Sequence, residues 1–401
     1  MRSFLFFITV IFFLPCSAQN NQLYGISRNS NPNVTYLATV DASNGFINDV
    51  SSNSYAVGVA NFSFTVDPNA DIYYFTDSNS LIGIDLNTGT LVHQNPITTS
   101  QGTIFQNFIY NELTQEIIGI ERGGASSGVY LSKIDPTTGV VTAISTTPFA
   151  NTSAINMAGS ALDLRRQWYH IFSQDRILSV DINTGAVVHN PLFDTTDFAY
   201  FNNLFFNPVN QKLYAIGRNS NPAELFLTQI NPITGAVTTV SPTSIGIALE
   251  LEGSALDPVN GIYYCKRVGV NGGNVSRLAG IDVITGLEVS STSFDFSQSN
   301  GAYFGHFYYG GPTVRLLSNE DQLSSKAVTL YPNPTVGSVT LEGDSISQIL
   351  LYSLTGKLLL DRKYGNEQSV QLDVKDFNDG VYLMKVFHTD ESSESFKLIK
   401  N

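Results

Sequence analysis

Amide and carboxylate side chains recur at one place in successive segments of this chain. They are Asn61, Gln106 and Asn107, Asn156, Asn202 and Asn203, Glu250 and Glu252, and Asn300. Each group opens a strand-like run. Several amide oxygens joined by one or two carboxylates make a hard oxygen set, the kind that takes Ca2+. On that pattern Glu252, Asn107 and Asn203 are the candidate metal ligands, and a divalent-metal-dependent hydrolase is the sharpest enzymatic possibility. The plainer expectation is that these amides satisfy strand ends and channel water, with no cofactor needed. The histidines are His93, His170, His189, His306 and His388. None forms an HExxH, a His-x-His or a Cys/His set, which argues against zinc. His306 opens one of the same runs and joins the candidate ligand-binding residues. No Gly-x-Ser-x-Gly elbow occurs. The glycine-rich stretch from Gly123 to Gly128 lacks the lysine of a phosphate cradle.

A second constellation is a repeated loop. Arg28-Asn29-Ser30-Asn31-Pro32 returns as Arg218-Asn219-Ser220-Asn221-Pro222. An exposed guanidinium beside amides suits a carbohydrate or a carboxylate. Arg28, Asn29, Arg218 and Asn219 are therefore the best interaction candidates, set against hairpin-loop chemistry inherited by duplication. Cys265 lies in a strand-like run with no local base, and we expect a small buried hydrophobe.

The elements that must position these residues repeat. Between Gln22 and Gly310 four strand types recur six times, at a spacing of roughly 44 to 52 residues. One is aromatic-rich, as in Leu23-Tyr24-Gly25-Ile26 and Trp168-Tyr169-His170-Ile171. The next ends in Asp41, Asp85, Asp135, Asp181, Asn231 or Asp282. A turn follows with Asn44-Gly45 or with Thr-Gly, ending in Gly89, Gly139, Gly185, Gly235 and Gly286. An acid or amide opens such a turn and glycine supplies positive φ. One acid per unit, spread round a ring, points to turn capping and not to shared ligation. The period is that of a propeller blade. The chain starts on the second strand of a blade and ends on a first strand, so the expected fold is all-β: a six-bladed β-propeller over residues 19–310, closed by its N- and C-terminal strands.

This pattern resembles the broad class of secreted propeller repeats with Leu-Tyr and Ile-Asp-Pro-x-Thr-Gly motifs, a scaffold with many unrelated functions. Lactonase-like enzymes of six blades use a carboxylate-and-Asn funnel, which is what the resemblance would imply for Glu252 and the asparagines.

Composition narrows the partners. The 401 residues carry a net charge of −13, with 42% hydrophobic and only 14% charged residues. Such a chain can pack cores, but it lacks the basic stripe that nucleic acid or an anionic membrane surface requires. Met1-Arg2, the apolar run from Phe4 to Leu14 and the small residues to Ala18 are expected to form a signal peptide over residues 1–18, cleaved after Ala18. No later run approaches the ~20 apolar residues that span a bilayer. With Cys16 in that peptide, Cys265 would have no disulfide partner.

Residues 311–325 read as a linker, and residues 326–401 as a second domain. It carries Tyr331-Pro332-Asn333-Pro334, Gly337, a turn at Gly356, then Gly380 and Tyr382, and ends with Lys397 and Lys400. This run resembles the C-terminal sorting domain of type IX secretion substrates in Bacteroidota. The resemblance implies an Ig-like β-sandwich, a partner in the type IX machinery, and a protein secreted or attached at the outer-membrane surface. With no catalytic constellation evident, we expect an exported binding or adhesion module whose ligand is a glycan or a protein. A purely structural surface protein is the remaining alternative.

Overall fold

The computed structural model of the chain describes residues 22–30, 33–55, 63–77, 79–100, 104–123, 128–151, 155–219, 222–268, 276–310, 328–353, 357–389 and 393–401. The expected signal peptide and linker, and the turn at Gly356, lie outside them. The described residues form β-strands and no α-helix, so none of their elements is a helix long and apolar enough to cross a membrane. The chain divides into two compact units, residues 1–314 and 315–401.

The first unit is built from small sheets whose neighbouring strands are antiparallel but for one outer-edge strand, taken here in chain order. The first sheet contains Leu23–Ser30, Asn33–Val40 and Phe46–Asp49. Its inner edge is supplied from far along the chain by Tyr303–Tyr309, and Asp295–Gln298 adds a parallel strand at its outer edge. Each of the other five begins with an inner strand and runs outward through three more, with the short Ala150–Asn151 added in the third: Phe64–Asp67, Ile104–Asn111, Ile155–Asp163, Tyr200–Asn207 and Ala248–Asp257 are those inner strands. The inner strands neighbour one another in the order of the sheets, and Ala248–Asp257 in turn lies beside Tyr303–Tyr309.

The local sequence explains each sheet. Aromatic and β-branched residues favour a pleated, half-buried surface. The acid or amide after the third strand folds back onto the turn. Asp85 Oδ1 accepts from Asn87 N and Thr88 N at 3.0 and 2.8 Å, and Asp282 Oδ1 accepts from Ile284 N and Thr285 N at 2.9 and 2.7 Å. Asp135 and Asn231 cap in the same way. A carboxylate that accepts such bonds is held in its charged form. The pKa of Asp135 falls chiefly through the Thr137 hydroxyl, and that of Asp282 through Thr285 N–H.

The turn glycines do more than supply positive φ. A Cβ on Gly286 would overlap Val240 O in the fifth sheet, and one on Gly89 would overlap the Ser51 backbone in the first. Each hairpin is thus pressed against the sheet before it. Apolar side chains fill the spaces between sheets. Tyr214 and Ile216 of the fifth sheet pack with Tyr263 and Cys265 of the sixth, and Leu23 and Val40 of the first pack with Ala255 and Leu278 of the sixth. Full burial of one such side chain stabilises by about 1.5–3 kcal/mol.

The second unit is a five-stranded sheet in which Thr329–Tyr331, Ser338–Ser353, Gly380–His388 and Ser393–Lys400 follow one another, and Leu358–Asp373 pairs with Ser338–Ser353. It has its own core, including Val339, Leu351, Met384 and Leu398.

Candidate functional site

The arginine candidates sit at one register of the fold. Arg28 lies across its sheet from Tyr303, and Arg218 across from Tyr200. The Arg28 guanidinium is 4.6 Å from the centre of the Tyr303 ring, and that of Arg218 is 5.5 Å from Tyr200. Arg218 also donates to the Tyr200 hydroxyl. Both are cation–π contacts, worth about 0.5–1 kcal/mol near solvent. The neighbouring amides differ in setting. Asn219 N–H donates to Glu224 O at 2.9 Å. Asn219 Oδ1 and Arg218 Nε are buried and have no hydrogen-bond partner among the described residues. Asn29 follows Arg28 on the same strand.

Two features of this edge escaped the loop comparison. Arg122 occupies the same register in the third sheet, across from Ile104, but without the Asn-Ser-Asn-Pro that marks the other two. Its position in the repeat, five residues after Ile117 as Arg218 is five after Leu213, was the available signal. In the sixth sheet Lys266 and Arg267 stand at the same end of the second strand. Lys266 is buried, donates to Phe304 O at 3.0 Å and lies 3.9 Å from the Tyr303 ring centre, so Tyr303 meets two cations. Arg267 is also buried and donates to Ile245 O and to Glu288.

The asparagine candidates lie deeper, on the inner strands. Asn107, Asn203 and His306 are equivalent in the third, fifth and first sheets and are left-handed, with φ of 52, 53 and 58°. Each begins a bulge in which two inner-strand residues oppose one on the second strand. The bulge turns the residue's carbonyl toward the next sheet. There a buried tyrosine hydroxyl donates to it: Tyr169 to Asn107 O at 2.5 Å, Tyr263 to Asn203 O at 2.5 Å, and Tyr73 to His306 O at 2.6 Å. Burial raises the pKa of Tyr169 and Tyr263, keeping both hydroxyls protonated as donors. The device repeats every second sheet, so the first unit is organised in pairs of sheets.

Asn107 and Asn203 line one cavity of about 240 Å³, to which the inner strands of the six sheets named above contribute. Their side chains are buried. Asn203 Nδ2 donates to Ser254 Oγ at 2.8 Å, and Ser160 Oγ donates to Asn107 O at 3.0 Å. His306 is buried with its ring edge-on to Phe64. Glu250, Glu252 and Asn156 fall in longer bulges of the sixth and fourth sheets, and their side chains, like all of Asn61, lie outside the described residues. Among the described residues no group of three or more His, Cys, Asp or Glu is placed to hold a metal ion. Cys265 is fully buried, and burial pushes its thiol up to about 12, the behaviour of a packed hydrophobe.

The sorting motif forms a clip. Asn333 Oδ1 accepts from Ile399 N at 2.9 Å and Asn333 Nδ2 donates to Lys397 O at 2.6 Å. Lys400 Nζ reaches Asp379 Oδ1 at 3.0 Å, beside Gly380, and the Tyr382 hydroxyl donates to Asn378 O at 2.6 Å. Tyr331, Pro332, Pro334 and Gly337 form the strand end and turn that carry Asn333. The beginning and the end of the unit are thus fastened together.

Fold and sites define an all-β protein of propeller type with a small separate β unit. Residues 329–401 match the model of the secretion system C-terminal sorting domain, and that is what the second unit is. The protein is therefore directed out of the cell, to be secreted or held at the outer-membrane surface. The chain is 36% identical over 92 residues to an ulvan lyase of Nonlabens ulvanivorans, a match spanning 22% of this chain and only 17% of that protein. The structure of TolB from Acinetobacter baumannii superposes with a TM-score of 0.51 at 13% identity, covering 74% of this chain and 68% of that one. This likeness shows the propeller-type fold alone.

Proposed function

We propose that the protein is an exported binding module on a closed six-bladed propeller, and that its ligand is an acidic glycan. Closure is supported by three features: the inner strands neighbour one another round to the starting sheet, an apolar cluster joins the sixth sheet to the first, and Gly45 of the first sheet packs against Ser293 of the sixth. The small β unit is taken as a sandwich made by its two long strands folding round one core, a view its single apolar cluster supports.

The observation that carries the ligand class is the pairing of a guanidinium with a tyrosine ring at one register in two sheets, Arg28 with Tyr303 and Arg218 with Tyr200. The Tyr200 ring, met by one cation, has a second face that can pack against the apolar face of a sugar ring, whereas Tyr303 is met by both Arg28 and Lys266 and serves to hold the Arg28 guanidinium; a guanidinium pairs with a carboxylate or sulfate. Arginines recur at this register in several sheets of a chain of net charge −13, which makes that edge the place for an anion. The 92 residues shared with the ulvan lyase are fewer than those of the first unit, so its activity is not transferred. Titration calorimetry of the full chain with uronate-bearing and neutral oligosaccharides tests the proposal. We expect the acidic ligands to bind preferentially, and Arg28→Ala with Arg218→Ala to weaken them by at least about tenfold, as lost charged contacts do. Equal binding by the double variant would remove these residues from the site.

A further inference from the structure

We propose that the axial cavity is a second and independent binding site, for a small uncharged apolar molecule about the size of one aromatic ring. The amides expected from the sequence, Asn107 and Asn203, are in its wall, but the bulges bring apolar side chains in beside them. At Asn107 and Asn203 they turn the backbone carbonyls toward Tyr169 and Tyr263. The side chains two positions on, Ile109 and Phe205, then line the cavity, as does Tyr308 two positions after His306. These three keep part of their surface accessible, as do Phe64 and Leu162, although all five lie on inner strands.

Several polar side chains in the wall are engaged. Thr65 Oγ1 accepts from Tyr110 N at 2.9 Å, Asn203 Nδ2 donates to Ser254 Oγ, and Ser160 Oγ donates to Asn107 O. Among the described residues no charged side chain lines the wall. A buried water needs two to four polar partners, whereas an apolar cavity of about 150 Å³ stays dry and takes up benzene. A cavity of about 240 Å³ whose wall is mostly apolar side chains is large enough for such a guest. Left-handed backbone at non-glycine residues is unfavourable and gathers where ligands are held. Here it recurs at three equivalent positions, each two residues before a wall side chain.

The test is thermal unfolding of the full chain with indole, p-xylene and benzoate. Indole or p-xylene at a hundredfold excess over its Kd should raise Tm by about 4 °C, and the charged benzoate should not. Ile109→Trp fills the cavity at a register where the equivalent residues are already the aromatic Phe205 and Tyr308, and it should abolish the rise. Phe205→Trp fills it from another sheet and decides the matter if Ile109→Trp does not fold. No rise in the wild-type chain, or a rise that survives a folded filling variant, overturns the proposal. The arginine edge plays no part in these outcomes, so they stand or fall apart from glycan binding.

Discussion

His170 is wholly buried, with Nδ1 2.9 Å from Ser179 Oγ and Nε2 without a hydrogen-bond partner among the described residues. Desolvation, helped by the positive fields of Arg166 and His189, lowers its pKa from 6.5 to about 3. The sign of the consequence is fixed. Below pH 6.5 the unfolded chain takes up a proton that the folded chain refuses, so this residue costs stability as pH falls toward 3. Between pH 7 and pH 5 the loss is about 2 kcal/mol. Urea unfolding at the two pH values should show it in the wild-type protein and not in His170→Gln. Equal losses in both would mean that His170 already carries its proton in the fold. Neither the burial nor the partner was visible from the sequence, where His170 is one polar residue in an aromatic run.

At the scale of the element, the hairpins show how far the sequence could be read. The acid, the Thr-Gly and the period of four strands were legible because turn chemistry and alternation are local. The close approach of each turn glycine to the preceding sheet was not, since it depends on how sheets stack. Gly286 and Gly261 separate the two roles. Both have positive φ, of 69 and 67°. A Cβ on Gly261 would meet only Val283 Cγ2, at 3.3 Å, whereas one on Gly286 would overlap backbone. Gly261→Ala should therefore cost only the left-handed penalty, about 1–2 kcal/mol. Gly286→Ala should cost measurably more, by displacing the fifth sheet's outer edge. Equal denaturation midpoints for the two variants would show that the sheets give way freely. The inner strands were the poorest guide for a related reason. The amides Asn107 and Asn203 were legible as cavity residues from their place at the strand starts, but a bulge at Asn107, Asn203 or His306 breaks the period of two, so the carbonyl contacts to Tyr169, Tyr263 and Tyr73 and the apolar neighbours Ile109 and Phe205 were not. Arg28 and Arg218 were found because duplicated loops preserve their neighbours, and Arg122 was passed over because its loop does not.

For the whole molecule, address and scaffold are carried by different residues. The first unit buries its apolar side chains between its own sheets, and the sorting unit has its own core from Val328 to Leu398. Removing residues 329–401 should leave the unfolding midpoint of the first unit unchanged while the protein stays inside the cell envelope. Asn333→Ala probes the same separation with one side chain. It removes two hydrogen bonds that tie the start of the sorting unit to its last strand, at a cost of about 1–3 kcal/mol. The exported fraction, measured by immunoblot of medium and cells, should fall, whereas glycan binding by the protein that is recovered should not change. A truncated chain that reached the medium normally would place the export signal elsewhere. A variant at Asn333 that lost binding as well as export would show that the two units do not stand as separately as their cores imply.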